Sequence, residues 1–238
     1  MIKKSKNPPG GKNTRLGVLV SGNGSNLQAI LDACTNKEIP AEVVVVISNK
    51  PEAFALERAK KAGVTGLVIE HNRFSNREDY DLELVKVLKN YNVDLVVLAG
   101  FMRVVTPVLL REFPMRVINI HPALLPSFPG VHVQRKALEY GVKFSGCTVH
   151  FVTEEVDAGP IIAQVVVPVH GNDTEQTLTE RIHKEEHKIY PYAIKLYSEG
   201  KLRVEGRRVR ITDCMEPDGP NLHNPVVRFA NNDEKTRK

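Results

Sequence analysis

Asn119 and His121 stand two residues apart in Val117-Ile-Asn-Ile-His-Pro-Ala-Leu-Leu-Pro126. Val117, Ile118 and Ile120 are β-branched and Phe113-Pro114 bounds the run, so the pattern predicts a strand. Alternation puts Asn119 and His121 on one face of it, opposite Ile118 and Ile120. Pro122 cannot donate to a ladder and should end it. An amide and an imidazole then stand side by side at the carboxyl end of an apolar strand, the edge where ligands bind in open α/β sheets. Asn offers two N–H donors, and His offers a donor or a charge near neutral pH. That pair suits a developing oxyanion; polar groups bonded to their own loop are the plainer alternative.

Three other stretches can do chemistry. Ser21-Gly-Asn-Gly-Ser-Asn26 follows an apolar strand and opens a helix. Backbone N–H groups and the positive helix end can hold an anion there. The dinucleotide fingerprint would place a Gly at Leu27 and an acid after the next strand, where Ser48-Asn49 stands; Gly-Lys-Ser/Thr is absent. What survives is a small phosphate site at Gly24, Ser25 and Asn26, or simply a tight turn. In Gly100-Phe-Met-Arg-Val-Val105, Met102, Val104 and Val105 can line an apolar slot with Arg103 near for a carboxylate, or be core beside a surface Arg. Asp157 lies at the tip of Thr153-Glu-Glu-Val-Asp-Ala-Gly-Pro160, by default a turn acid. His183 and His187 share a helix face, but Lys184 stands where a zinc-protease motif needs Glu, so no metal is read.

The elements that must carry these residues alternate. Strands are expected at Arg15–Val20, Glu42–Ile47, Leu67–Ile69 and Val93–Ala99. Helices are expected after Asn26, with Leu27, Ile30 and Leu31 inward, from Pro51 to about Ala62, and over Arg77–Lys89, with Tyr80, Leu84, Val87 and Leu88 inward. Leu124 to Gly130 must be loop, and Val131–Tyr140 reads as helix. Phe144–Val152 and Ile161–Val167 are close enough in sequence to pair antiparallel. Asp173-Thr-Glu-Gln176 carries cap chemistry for a long helix to about Tyr197. Lys201–Ile211 adds a small strand. The fold class is therefore α/β: a Rossmann-like, mostly parallel open sheet with helices on both faces, extended by antiparallel strands and a long C-terminal helix. The expected division is a flexible basic leader (1–14), one domain (15–205) and a C-terminal tail (206–238), Pro/Asn/Gly-rich from Glu216.

The 238 residues, 42% of them hydrophobic, suffice for one well-filled core. Five of the 33 basic residues (Lys3, Lys4, Lys6, Lys12 and Arg15) precede Leu16, and none of the 28 acidic residues does. The net charge of +5 therefore arises in the first fifteen residues, and the body has no basic stripe for nucleic acid. Cys34, Cys147 and Cys214 are scattered and odd in number, which points to a reducing cytosol. No apolar run is long enough to span a membrane.

Taken together, Ser21-Gly-Asn-Gly-Ser-Asn-Leu-Gln28, Ala99-Gly-Phe-Met-Arg103, Asn119-Ile-His-Pro-Ala-Leu-Leu-Pro126 and Asp157-Ala-Gly-Pro160 are highly specific in this order and spacing. The chain closely resembles the phosphoribosylglycinamide formyltransferases, of the 10-formyltetrahydrofolate-dependent formyltransferase family, over about Arg15 to Arg203. Ala123 stands where that family usually has Ser, a mild departure. The resemblance implies transfer of the formyl group of 10-formyltetrahydrofolate to the amine of glycinamide ribonucleotide, in purine biosynthesis. It implies Asn119, His121 and Asp157 as the catalytic group, with Asn119 and a protonated His121 donating to the oxyanion. Gly24, Ser25, Asn26 and Glu186 would bind the ribonucleotide. Arg77, Met102, Arg103, Val104, Val105 and Asn119 would bind the folate. No cofactor is bound, the folate being a co-substrate, and no metal is needed. The partners implied are small molecules, not nucleic acid or membrane; the chain is expected to be cytoplasmic, as a monomer or homodimer.

The nearest rival is hydrolysis of the same formyl folate. Such enzymes usually carry an N-terminal regulatory domain, for which the leader leaves no room. Formylation of methionyl-tRNA shares the Asn-x-His core but usually adds a C-terminal barrel domain, where this chain has a short tail. A catalytically silent folate or nucleotide sensor would not need Asn119, His121 and Asp157 together.

Overall fold

The computed structural model describes residues 13–212 and 223–224. Its elements in chain order are β1 (Thr14–Val20), α1 (Ser25–Thr35), β2 (Ala41–Ser48), α2 (Ala55–Lys61), β3 (Gly66–Val68), a 3-10 turn (His71–Arg73), α3 (Arg77–Asn90), β4 (Leu95–Leu98), α4 (Pro107–Glu112), β5 (Val117–His121), α5 (Val133–Tyr140), β6 (Phe144–Phe151), β7 (Ile161–Pro168), α6 (Glu175–Ser198), β8 (Leu202–Glu205), β9 (Arg208–Ile211) and β10 (His223–Asn224).

The strands form one sheet in the order β3-β2-β1-β4-β5-β6-β7-β9-β8, with β10 on β7. From β3 to β5 all neighbours are parallel. β6 runs antiparallel to β5, and β7 antiparallel to β6, as expected from their short connection. Strand order reverses at β1, whose neighbours are β2 and β4, so the carboxyl ends of β1 and β4 diverge into a crevice. Alternation along the strands feeds two cores. Leu16, Val18, Val97, Ile118 and Ile120 pack with Leu27 and Ile30 of α1 and Ile182 and Ile189 of α6. Leu19, Val45, Val96 and Val117 pack with Tyr80, Leu84 and Leu88 of α3 and Leu109 of α4. Val87, expected inward, is only partly buried.

Several boundaries differ from expectation. The helix foreseen at Pro51 begins at Ala55, after a turn over Pro51-Glu52. Thr14, counted with the leader, already pairs with Ala41. The single strand foreseen at Lys201–Ile211 is a hairpin, β8 with β9, and β9 meets β7 at Ile161. The boundary drawn after Glu205 falls in that hairpin's turn, so the sheet continues to Ile211. Of the expected tail, His223 and Asn224 pair with Val165 and Gln164. The leader before Asn13 and the rest of the tail lie outside the described residues. No helix among the described residues is long and apolar enough to cross a membrane.

α6 is held at its start, where the sequence signalled a cap, and again midway, where it gave no signal. Thr174 and Thr177 form a reciprocal capping box, and Asp173 takes Arg181 through both oxygens at 2.7 and 2.8 Å. That pairing pulls the Asp173 carboxyl well below its usual range. Midway along α6, the buried Tyr190 hydroxyl donates toward the carbonyls of Leu98 and Ile118, fixing the helix over β4 and β5.

Candidate active site

Asn119 and His121 reach the carboxyl end of β5 on one face, as alternation requires. Their strand neighbour is β6, in register Asn119↔His150 and His121↔Thr148. That register adds His150 to the pair, a residue the sequence reading missed. Asn119 Nδ2 lies 3.3 Å from His150 Nε2. His150 Nδ1 lies 2.9 Å from the Phe151 carbonyl, which can only accept, so Nδ1 carries the proton and Nε2 accepts from Asn119. Burial lowers the pKa of His150, outweighing the Phe151 bond and the neighbouring Asp157. The ring is therefore read as neutral, and one of the two Asn119 N–H donors is committed to it.

Asp157 comes back over this pair from the loop between β6 and β7. Its backbone is left-handed, φ 53°. The loop lies so close to β6 that a Cβ at Gly159 would meet the Phe151 carbonyl at 1.8 Å, so only Gly fits there. Asp157 Oδ2 stands 3.5 Å from His121 Nδ1, and Oδ1 stands 3.8 Å from His150 Nε2. Asp157 is thus no plain turn acid: its side chain is turned inward against two imidazoles. His121 is 4% exposed, and its Nε2 lies 2.8 Å from the Phe128 carbonyl, to which it donates. Both ring nitrogens of His121 thus face acceptors, the Phe128 carbonyl and Asp157. The donor expected to point at an oxyanion is here given to the backbone.

The loop after β5 is stitched to the sheet by Thr148. Its hydroxyl donates to the Ala123 carbonyl at 2.7 Å and accepts from Leu125 N at 3.1 Å. Ala123 itself is buried, its contribution to this contact being backbone.

The glycine-rich turn lies across the crevice. Gly24 precedes α1 with φ 76°, and the first turn of α1 has no side-chain cap, so its N–H groups face outward. Arg58 of α2 braces the turn, bonding the Asn23 carbonyl at 2.9 Å, Asn23 Oδ1 at 3.0 Å and Gln28 Oε1 at 3.1 Å. A groove of about 520 Å³ runs from Ser25 along α1 and α6, past Gln28, Arg58, His187 and Pro191, and includes neither Asn119 nor His121. Ser21 links three strand ends: its hydroxyl donates to Asn49 at 2.6 Å and accepts from Met102 N at 2.9 Å.

Glu186, buried, receives the Asn26 amide at 2.8 Å, joining α6 to α1. Burial raises its pKa, against the lowering effect of Asn26, His183 and His121. Asn26 Oδ1 is buried without a partner. His183 and His187 stack, and His183 Nε2 stands 3.9 Å from Glu186. No cluster among the described residues could hold a metal ion.

On the other side, Met102 and Val104 are exposed and Val105 is buried. Arg103 is not an open surface cation: its guanidinium lies 4.8 Å from the Tyr80 ring centroid. Arg77 is exposed at the start of α3.

A formyl transferase family model matches residues 14–194. The chain belongs to the formyl transferase family. This formyl transferase is 48% identical to the phosphoribosylglycinamide formyltransferase of Escherichia coli, over 79% of its own length and 88% of the relative's. It is 54% identical to the trifunctional purine biosynthetic protein adenosine-3 of Drosophila melanogaster, over 78% of its own length but only 14% of that much longer relative. Among solved structures, glycinamide ribonucleotide transformylase 1 from Symbiobacterium toebii superposes with a TM-score of 0.84 at 55% identity, covering 84% of this chain and 95% of that one. The Rossmann-like, mostly parallel sheet with its antiparallel extension and long last helix is the fold of these relatives.

Proposed function

We propose that the protein transfers the formyl group of 10-formyltetrahydrofolate to the amine of glycinamide ribonucleotide, giving formylglycinamide ribonucleotide and tetrahydrofolate, in purine biosynthesis. The observation that carries this is the convergence of Asn119, His121, His150 and Asp157 at one end of β5, in a fold whose α1 starts uncapped beside the buried Asn26–Glu186 pair. The names of the relatives support it.

On this reading Gly24, Ser25 and Asn26 hold the ribonucleotide phosphate on the open N–H groups of α1. Glu186, with Asn26 Oδ1 beside it, orients the amine. Met102, Arg103, Val104 and Val105 border the folate slot, with Arg77 at its rim. The amine nitrogen attacks the formyl carbon, and the carbonyl oxygen takes up negative charge. The second N–H of Asn119 donates to it, and a protonated His121 supplies charge beside it. Asp157 accepts the amine proton, directly or through water. The bond from the formyl carbon to the folate nitrogen then breaks, that nitrogen gains a proton, and the product amide is left. The residues need no metal and no covalent enzyme intermediate for this sequence. The same reading makes the chain a cytoplasmic protein, monomer or homodimer.

Product analysis tests the proposal. With 10-formyltetrahydrofolate, formylglycinamide ribonucleotide should form only when glycinamide ribonucleotide is supplied. Equal release of formate with and without the nucleotide would make the protein a formyl folate hydrolase.

A further inference from the structure

We propose that Phe128 is a positioning residue for His121: its ring anchors the loop carbonyl that sets the orientation and tautomer of the imidazole. The inference rests on the transferase reading above for its kinetic consequence, and on geometry alone for the clamp itself.

Two residues of one loop grip the two partners of the candidate acid–base pair. The Phe128 carbonyl accepts from His121 Nε2 at 2.8 Å, and Gly130 N donates to Asp157 Oδ2 at 2.8 Å. His121 and Asp157 therefore meet, at 3.5 Å, only as well as residues 128 to 130 are placed. The first half of the loop is fixed by Thr148 and by Gln164, whose amide donates to the Leu125 carbonyl at 2.9 Å. Neither contact reaches Phe128. Lys136 Nζ reaches the next carbonyl, Pro129, at 3.4 Å, and Phe128 itself is held by its side chain, partly buried against the core shared by α1, α6 and the sheet, with the Tyr140 ring edge-on at 6.0 Å. Its backbone is left-handed, φ 52°. A bulky residue keeps that conformation only where its surroundings over-determine it. The strain and the anchor together place a carbonyl under His121 Nε2, and so keep a proton on that nitrogen and turn Nδ1 to Asp157.

Two effects of substitution separate an anchor from a merely tolerated residue. Gly at 128 removes the backbone strain and also the ring; Ala removes the ring and leaves the strain; Tyr keeps the ring. If the ring positions the carbonyl, Phe128→Gly and Phe128→Ala lower kcat at least about tenfold. KM for the ribonucleotide, bound across the crevice at α1, should change little. Phe128→Tyr should restore kcat. In the substrate-free protein, labelled at imidazole nitrogen, the hydrogen-bonded Nε2–H signal of His121 should be present in wild type and Phe128→Tyr and lost in Phe128→Gly. A folded Phe128→Gly protein with wild-type kcat and an unmoved Nε2–H signal overturns the proposal. Should wild type lack transferase activity, the function reading fails, and the imidazole signals alone decide the clamp.

Discussion

Asp157 Oδ2 serves two neighbours at once, accepting Gly130 N–H and facing His121 Nδ1. Asn at this position keeps one carbonyl oxygen but loses the charge and the second acceptor. Asp157→Asn should therefore lower kcat by roughly a hundredfold or more while KM for both substrates moves little. Steady-state kinetics with each substrate varied in turn checks this. Glu186 gives a prediction of opposite sign for stability. Burial holds its folded pKa above the ordinary 4.5, so the native state keeps its proton to higher pH than the unfolded chain does. Native stability then falls as pH rises from about 4.5 through the raised folded value. Glu186→Gln keeps an oxygen for the Asn26 amide and removes that loss. The variant should melt higher than wild type at pH 8, with the difference vanishing toward pH 4.5, and should be a poorer enzyme. Melting curves across that range, beside initial rates, decide it. Asn119 and His121 were legible in the sequence because a strand's period of two needs only local spacing. His150 was not, since its place beside Asn119 depends on the β5–β6 register. The pattern Thr148-x-His150 in an otherwise apolar strand was the one local sign of it.

At the level of elements, the glycine-rich turn shows where a test designed on the sequence would mislead. With Gly24 assigned to a phosphate site, a side chain there would be taken to obstruct the phosphate. In the fold, a Cβ there meets Ala55 Cβ at 2.6 Å, and φ is +76°. Gly24 is thus required first by the approach of α1 to α2, and any substitution strains the protein before a ligand arrives. Gly24→Ala should cost about 1–2 kcal/mol for the left-handed backbone plus the steric term. Adding Ala55→Gly should return only the steric part; thermal denaturation of the single and double variants measures both. Ser25→Ala is the cleaner probe of the phosphate site, because it leaves the turn geometry alone. It should raise KM for the ribonucleotide and leave KM for the folate unchanged. The sequence located most elements because apolar runs and caps are local signals. It placed the start of α2 early because Pro51 favours a helix's first turn and a β-turn equally well. Only the contact of Ala55 and Ala59 with the sheet core separates the two.

Across the whole molecule, the candidate chemistry occupies the centre of the sheet, where β1, β4 and β5 end, and β6 adds His150 from the antiparallel side. The β8–β9 hairpin lies at the far edge. It joins the rest through the single β9–β7 pair at Ile161 and through Leu202, which is 7% exposed and part of the larger core, with Val204, Val209 and Ile211 partly buried against it and Thr212 N bonded back to the Lys201 carbonyl. None of its hydrogen bonds reaches Asn119, His121, His150 or Asp157. Among the described residues, ending the chain after Thr212 removes only β10 from β7, so both melting temperature and kcat should stay near those of the full chain. Ending it after Gly200 also removes Leu202, with Val204, Val209 and Ile211 beside it, and uncovers β7 at Ile161, so melting should fall by several degrees or more. Below that transition kcat should still be close to normal, because β7 and β6 stand between the lost hairpin and the imidazoles. Melting curves and initial rates of the two truncated chains at low temperature test this separation. A folded chain ending at Gly200 with kcat down by about tenfold or more would mean that the hairpin acts on the Asp157 loop through Ile161.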